Sequence, residues 1–301
     1  MKKVLGIFII LFSCLFLFSC KTSIDNEVKI ITPYGAPYIA LGGMIGEENV
    51  KIDAVNGADN LKTALVGKEY DIVIAPVNLG SNLYNKGNSA YKIAAVITMN
   101  NAYIVTRSEN KLDSIMDLAE QNVLAFGATG IPGSVLKKVY ADNGLSIENV
   151  DFSLSSSSAV YSAFAGNENS AKYSLISEPE ISKLRINDNV AVKTLSLCEV
   201  LDVDVPQACI YVNPTSQNLE DVNKVLKLIK DNVKALNDNS DKYADKIFDL
   251  DRTFSAMGKE VLKASLPKMD IVYRDAKSFK SEIENILSIL GVDKPNEEFY
   301  Y

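Results

Sequence analysis

The sequence predicts an α/β fold built as two Rossmann-like lobes with a helical C-terminal third. Short β-rich apolar runs alternate with segments of helical period, the pattern of parallel sheets with crossover helices. That series ends and restarts near Thr106, which implies two lobes, and from Pro214 onward only the helical period is left. A chain of 301 residues has room for two domains. Its hydrophobic content of 47% and charged content of 23% are those of a folded globular protein.

The first strand is Val28 to Thr32 (VKIIT), broken by Pro33-Tyr34-Gly35-Ala36-Pro37 before a helical segment from Tyr38 to Ile45. Lys51 to Val55 is the second strand. Asp59 is placed to cap a helix from Asn60 to Val66, with Leu61, Ala64 and Leu65 on one face. Asp71 to Ala75 (DIVIA) is apolar on both faces, as a buried parallel strand is, and Pro76-Val77-Asn78-Leu79 turns it into a short helix. Strands at Lys92 to Thr98 and Ala102 to Thr106 are separated by Met99-Asn100-Asn101.

The second series opens with a helix from Leu112 to Glu120 and a strand from Val123 to Phe126. Gly127 to Ser134 then leads into a helix that presents Val135, Leu136, Val139 and Tyr140 on one face. It ends at Asn143-Gly144, a left-handed C-cap. Further strands are expected at Val150 to Leu154, Lys172 to Ile176 and Val190 to Thr194, with helices near Ala159 to Phe164 and Pro179 to Leu184. Asn218 is placed to cap a long helix in which Leu219, Val222, Leu226, Ile229, Val233 and Leu236 recur at helical spacing. Helices at Ser240 to Phe248, Ser255 to Ser265 and Ala276 to Leu290 follow, expected to pack on the first lobe's sheet.

The N-terminus, MKKVLGIFIILFSCLFLFSC, has a basic start, an apolar run from Val4 to Phe18 and a small residue before Cys20. Those are the parts of a secretory signal. The apolar run is at the short edge of the ~17–25 residues a membrane span needs, and Lys21 beyond the cysteine favours cleavage. Leu17-Phe18-Ser19-Cys20 resembles the lipobox of bacterial lipoproteins, whose cysteine is acylated and becomes the mature N-terminus. Loss of the leader removes two lysines and no acid, taking the net charge from −7 to −9. An acidic chain of this kind has no electrostatic footprint for nucleic acid.

The chain contains no histidine. The usual zinc and facial-triad ligand sets and every Ser-His or Cys-His pair are thereby excluded, while carboxylate, lysine or tyrosine chemistry stays open. Beyond the leader the cysteines are Cys198 and Cys209, either a disulfide or two buried thiols; spacing alone does not decide.

In open α/β sheets ligands bind beyond the carboxyl ends of the strands. Thr129, Gly130, Gly133 and Ser134 put free amides, hydroxyls and bare backbone at a helix start, without the Gly-Lys-Ser/Thr ending of a phosphate loop. The alternative for this stretch is an ordinary Gly/Pro turn. Tyr34, Gly35 and Ala36 offer an aromatic face and bare backbone, Val77 and Asn78 an amide, and Asn60 another. Ser157 lies in a hydroxyl run that also suits simple helix capping. Glu178 could receive a ligand amine, and Asn101 and Tyr103 at the link between the lobes complete the candidate set. No cofactor or metal is expected.

The chain resembles the type II periplasmic-binding-protein superfamily, in its nitrate/sulfonate/taurine and thiamine-precursor-like branch. The resemblance rests on Leu17 to Cys20, Ile31 to Pro37 (ITPYGAP), Asp71 to Pro76 (DIVIAP) and Leu124 to Ser134 (LAFGATGIPGS). It continues through Ser177 to Pro179, the Pro206 to Val212 strand and the ending Gly291 to Tyr301. It implies two lobes joined by a two-strand hinge, with crossings near Ala102 to Thr106 and Ala208 to Val212. The implied divisions are a signal peptide at 1–19 and a lipid-anchored linker at 20–27. Lobe I follows at 28–104 plus 212–301, and lobe II at 105–211. Some relatives make the thiamine pyrimidine from their own histidine, which a chain without histidine does not do. The resemblance further implies a monomer held to the extracytoplasmic face of the cell membrane by lipid on Cys20, which encloses a small organic solute and docks on an ABC permease. A lipoprotein enzyme using Glu178 and tyrosines, or a sensory binding protein, are the alternatives.

Overall fold

The computed structural model describes residues 23–166 and 172–301; the leader and Cys20 lie outside the described residues. The first stretch runs β1 (Val28–Pro33), α1 (Ala36–Ala40), β2 (Val50–Val55), α2 (Ala58–Gly67), β3 (Ile72–Pro76), α3 (Val77–Asn85) and β4 (Lys92–Met99). The middle is β5 (Tyr103–Arg107), β6 (Val123–Phe126), α4 (Ile131–Asp142), β7 (Val150–Leu154), α5 (Ser157–Ala165), β8 (Tyr173–Ile176), α6 (Glu180–Ile186), β9 (Val192–Ser196) and α7 (Leu197–Leu201). The chain returns through β10 (Pro206–Val212). It closes with α8 (Leu219–Asp238), α9 (Ser240–Ile247), α10 (Arg252–Met257), α11 (Lys259–Ser265), β11 (Ile271–Asp275) and α12 (Lys280–Ile289).

Two sheets form, in the orders β11-β4-β10-β3-β1-β2 and β7-β6-β8-β5-β9. Each is mixed rather than purely parallel. β10 and β11 run antiparallel to their neighbours in the first sheet, and β5 does so in the second. This is the two-lobed α/β architecture expected from the sequence. β5 lies wholly in the second sheet and β10 wholly in the first, so the links between lobes are the short segments 100–102 and 197–205.

The core follows the pattern of apolar residues. The run Ile72 to Ala75 is inaccessible on both faces, as its central position requires. In α8 the buried Val222, Val225, Leu226, Ile229, Val233 and Leu236 form one stripe against β1 and β11, with α9 to α11 extending that layer. A second cluster is continuous between the lobes, from Val73 and Tyr211 through Met99, Ala102 and Cys198 to Leu175 and Val135. Helix α3 packs so closely on β10 that a Cβ at Gly80 would stand 2.2 Å from the Tyr211 ring.

Several elements differ from expectation. Asp59 lies in the first turn of α2, whose N-cap is Gly57; Asn218 holds the N-cap of α8 without a side-chain bond. Leu112 to Glu120 contracts to a 3-10 turn, Ile115–Leu118, held by the reciprocal Ser114/Asp117 capping box. The Ser255 to Ser265 helix breaks at Gly258, where φ is 93°. The Ala276 to Leu290 segment is helical only from Lys280, after strand β11. Cys198 and Cys209 are separate buried thiols.

Candidate functional site

Strand register brings the candidate turns to one place. Pro76 pairs with Ala208, and Met99 with Pro206, so β3 and β4 end where β10 begins. Tyr103 pairs with Ile176, so β8 ends beside the start of β5. The turns after β1 and β3 therefore face those after β6 and β8 across the two crossings. The facing edges touch: Asn78 Nδ2 donates to the Thr129 carbonyl at 3.0 Å. Asn78 Oδ1 is buried and has no hydrogen-bond partner among the described residues. On the other flank, α11 of the first lobe packs against α6 of the second.

The candidates differ in what they present. Tyr34 is 42% exposed, edge-on to Tyr38 at 5.6 Å, and Gly35 has φ 97° with open space where a Cβ would be. Ala36 and Val77 are buried; the Val77 side chain belongs to the core, while its carbonyl accepts from Tyr211 Oη at 3.2 Å. Asn60 turns its amide back to the Asn56 carbonyl, a local bond that leaves it at the outer end of the row.

The turn before α4 is tightly built. Gly130 is the N-cap, without a side-chain bond, and its N–H donates to the Gly127 carbonyl at 2.9 Å. A Cβ at Gly133 would lie 2.1 Å from that same oxygen, so the close approach that requires glycine is to the chain's own backbone. Thr129 is exposed and Ser134 half-buried. A cation missed in the sequence reading stands here: Lys137 Nζ donates to the Ala128 carbonyl at 2.6 Å and lies 5.0 Å from the Phe152 ring centroid. The signal was available, because helical side chains lean toward the N-terminus and a residue four after Gly133 covers the turn.

Asn101, Ser157 and Glu178 form one network. Asn101 Nδ2 donates to the Glu178 carbonyl at 3.0 Å, and its Oδ1 accepts the Glu178 N–H at 2.8 Å. Ser177 Oγ donates to the Asn101 carbonyl at 2.7 Å, while Ser157 Oγ accepts the Ser177 N–H at 2.9 Å. The Glu178 carboxylate, 4% exposed, accepts the Ser182 N–H at 2.9 Å, and burial pushes its carboxyl above the ordinary value. It is held inside the second lobe, capping α6, rather than offered to an amine.

Asn100, not among the sequence candidates, ties the other side of the hinge. Its Nδ2 donates to Asp270 at 2.8 Å and to Asp204 at 3.2 Å, and its Oδ1 accepts the Val205 N–H at 2.8 Å. Its own N–H donates to the Val205 carbonyl at 3.1 Å, so the two crossings are bonded to each other. Adjacent asparagines thus hold opposite lobes. Tyr103, beyond them, lines a cavity of about 580 Å³ at the edge of the hinge, and burial pushes its phenol up to about 12.

No protein-family model matches the sequence, and no curated protein does. The structure is similar to that of an ABC transporter from Parabacteroides distasonis (TM-score 0.76, 17% identity, 92% of this chain and 99% of that one). It is similar to the zinc-bound ligand-binding component of an ABC-type import system from Staphylococcus aureus (0.69, 13%, 92% and 97%). The periplasmic aliphatic sulphonate binding protein of Escherichia coli is a third (0.69, 11%, 91% and 91%). The chain therefore has the two-lobed fold of periplasmic binding proteins over essentially its whole described length.

Proposed function

We propose that the protein is the solute-binding component of an ABC importer, capturing a small organic solute between its lobes and delivering it to a membrane permease. The observation that carries this reading is the Asn78–Thr129 contact, which brings strand-end turns of both lobes together across short hinge crossings. Hinged lobes of this kind close around ligands. The unpartnered Asn78 Oδ1 at that rim is an acceptor aimed at such a solute. The similarity to import components supports transport over catalysis, and an internally bonded Glu178 removes the acid on which an enzymatic reading leaned.

In this reading the chain acts as a monomer on the extracytoplasmic face, tethered through lipid on Cys20. Two acyl chains anchor stably where one does so marginally. The boundaries expected from the sequence move to the hinge segments, so that lobe I is 28–99 plus 206–301 and lobe II is 103–196. The solute is met by Tyr34, Gly35, Asn78, Thr129 and the Gly130 to Ser134 turn. Native mass spectrometry of freshly purified protein tests the reading: a retained small molecule, released on unfolding and taken up by vesicles carrying the cognate permease, supports it. Chemical conversion of that molecule by the protein alone would overturn it.

A further inference from the structure

We infer that the cleft between the lobes selects an uncharged solute bearing an amide group, and that Gln207, outside the candidate set, is one of the two side chains that read it. This rests on the solute-binding reading above and gives it a ligand class. Two side-chain atoms at the end of β3 and the start of β10 are buried without a hydrogen-bond partner among the described residues: Asn78 Oδ1 and Gln207 Nε2. The register brings their residues together. Ala208 pairs with Pro76 in the antiparallel sense, so Gln207 stands beside Val77, the neighbour of Asn78. Side chains alternate along a strand, which puts Gln207 on the face of Cys209 and Tyr211, the face that α3 covers.

A buried polar group without a partner costs the fold its full desolvation. Native proteins seldom carry one without a use, and here two share one rim. They are of opposite sense. Asn78 Nδ2 donates to the Thr129 carbonyl, which fixes Oδ1 as the acceptor end of that amide. Gln207 presents a donor. An occupant that satisfies both gives an N–H to Asn78 and accepts one from Gln207, as the N–H and C=O of an amide do.

Charge is selected against. The turns after β1, β3, β6 and β8 hold no lysine or arginine. The Lys137 ammonium is bonded to the Ala128 carbonyl, and the Glu178 carboxylate is bonded inside its own lobe. An ionic solute would lose its water here without gaining a counter-charge. Tyr34, exposed in the turn of the neighbouring parallel strand, offers a flat face to a ring that carries the amide.

Benzamide and benzoate, alike in shape and different in charge, are the probes, titrated into the full chain in detergent and followed by ligand-observed NMR. Benzamide should bind saturably, and benzoate about tenfold more weakly or worse. Gln207→Leu removes the unpaired amide at similar bulk. It should therefore melt above the parent while losing about tenfold or more of the benzamide affinity. A side chain with a structural role alone gives the reverse, a lower melting temperature with affinity kept. Absence of benzamide binding, benzoate binding as tightly, affinity unchanged in Gln207→Leu, or a lower melting temperature for that variant would each overturn the inference. The receptor reading is judged separately, by the copurifying solute. A charged solute that Gln207→Leu retains and that permease vesicles take up would leave transport standing and remove the amide class.

Discussion

The side-chain amide of Asn101 holds the backbone of Glu178 by two hydrogen bonds at once, at 3.0 and 2.8 Å. Both residues are 4% exposed, so neither Glu178 backbone group has water as a substitute. The pair fastens the first hinge crossing to the end of β8, and Asn100 fastens the same crossing to Asp270 in the first lobe. Two consecutive residues thus tie the first hinge crossing to both lobes.

Asn101→Ala should therefore destabilise the fold by about 1–3 kcal/mol for each group left unpaired. Urea unfolding of the purified chain measures it. A loss within ~0.5 kcal/mol, the usual range of a surface change, would mean the hinge has other supports.

Glu178 predicts a dependence on pH. Burial raises its folded value above 4.5, opposed by the Ser182 N–H bond and by the charges of Lys268 and Arg185, while the neighbouring Glu180 is also raised by burial. A raised carboxyl favours the neutral form in the folded state. Its contribution is fully present below the unfolded value and is lost as pH rises through the folded one. Glu178→Gln, which keeps an acceptor for Ser182, should gain stability relative to the parent at pH 7 and lose that advantage near pH 4.5. Denaturant midpoints at the two pH values decide it; a constant difference would contradict the assignment.

Much of the fold was legible because its central strands, such as β3 and β4, are apolar on both faces and its helices on one. β11 was not, since Arg274 and Asp275 make two of its five residues charged, as an edge strand tolerates. The candidate turns were legible too, because strand-to-helix alternation fixes which loops share an edge. Which side chains meet there was not. Asn78 and Thr129 are far apart in the chain and meet only through the packing of two lobes. Asn100 reads as a turn residue until Asp270 and Val205 are brought to it. Glu178 reads as a free acid until Ser182 is seen to bond it.

Asn78→Ala removes the direct bond between rims. An exposed bond of this kind contributes about 0.5–1.5 kcal/mol, so the melting temperature should move little while the balance between open and closed lobes shifts. Small-angle scattering should report a larger radius of gyration than the parent's. An unchanged radius would place the control of closure at the α6–α11 flank.

Cys20→Ser should leave the protein uncleaved or free of the membrane if Cys20 carries the anchor. Detergent partitioning with intact-mass analysis reads the outcome, and a mature chain starting at another residue would refute it.

The two glycines before α4 separate folding from binding. A Cβ at Gly133 meets the Gly127 carbonyl at 2.1 Å, whereas one at Gly130 meets it at 3.5 Å, an ordinary contact, with φ −84°. Gly133→Val should thus lower stability severely, by the several kcal/mol of an overpacked buried site, and says nothing about a ligand. Gly130→Ala should fold normally, with only the ordinary entropic gain of losing a glycine. Its added methyl stands beside the helix start that the bound solute would approach. Solute copurifying with Gly130→Ala should then fall well below the parent's level at an unchanged melting temperature. Full retention would move the solute away from this turn, toward Tyr34 and Asn78.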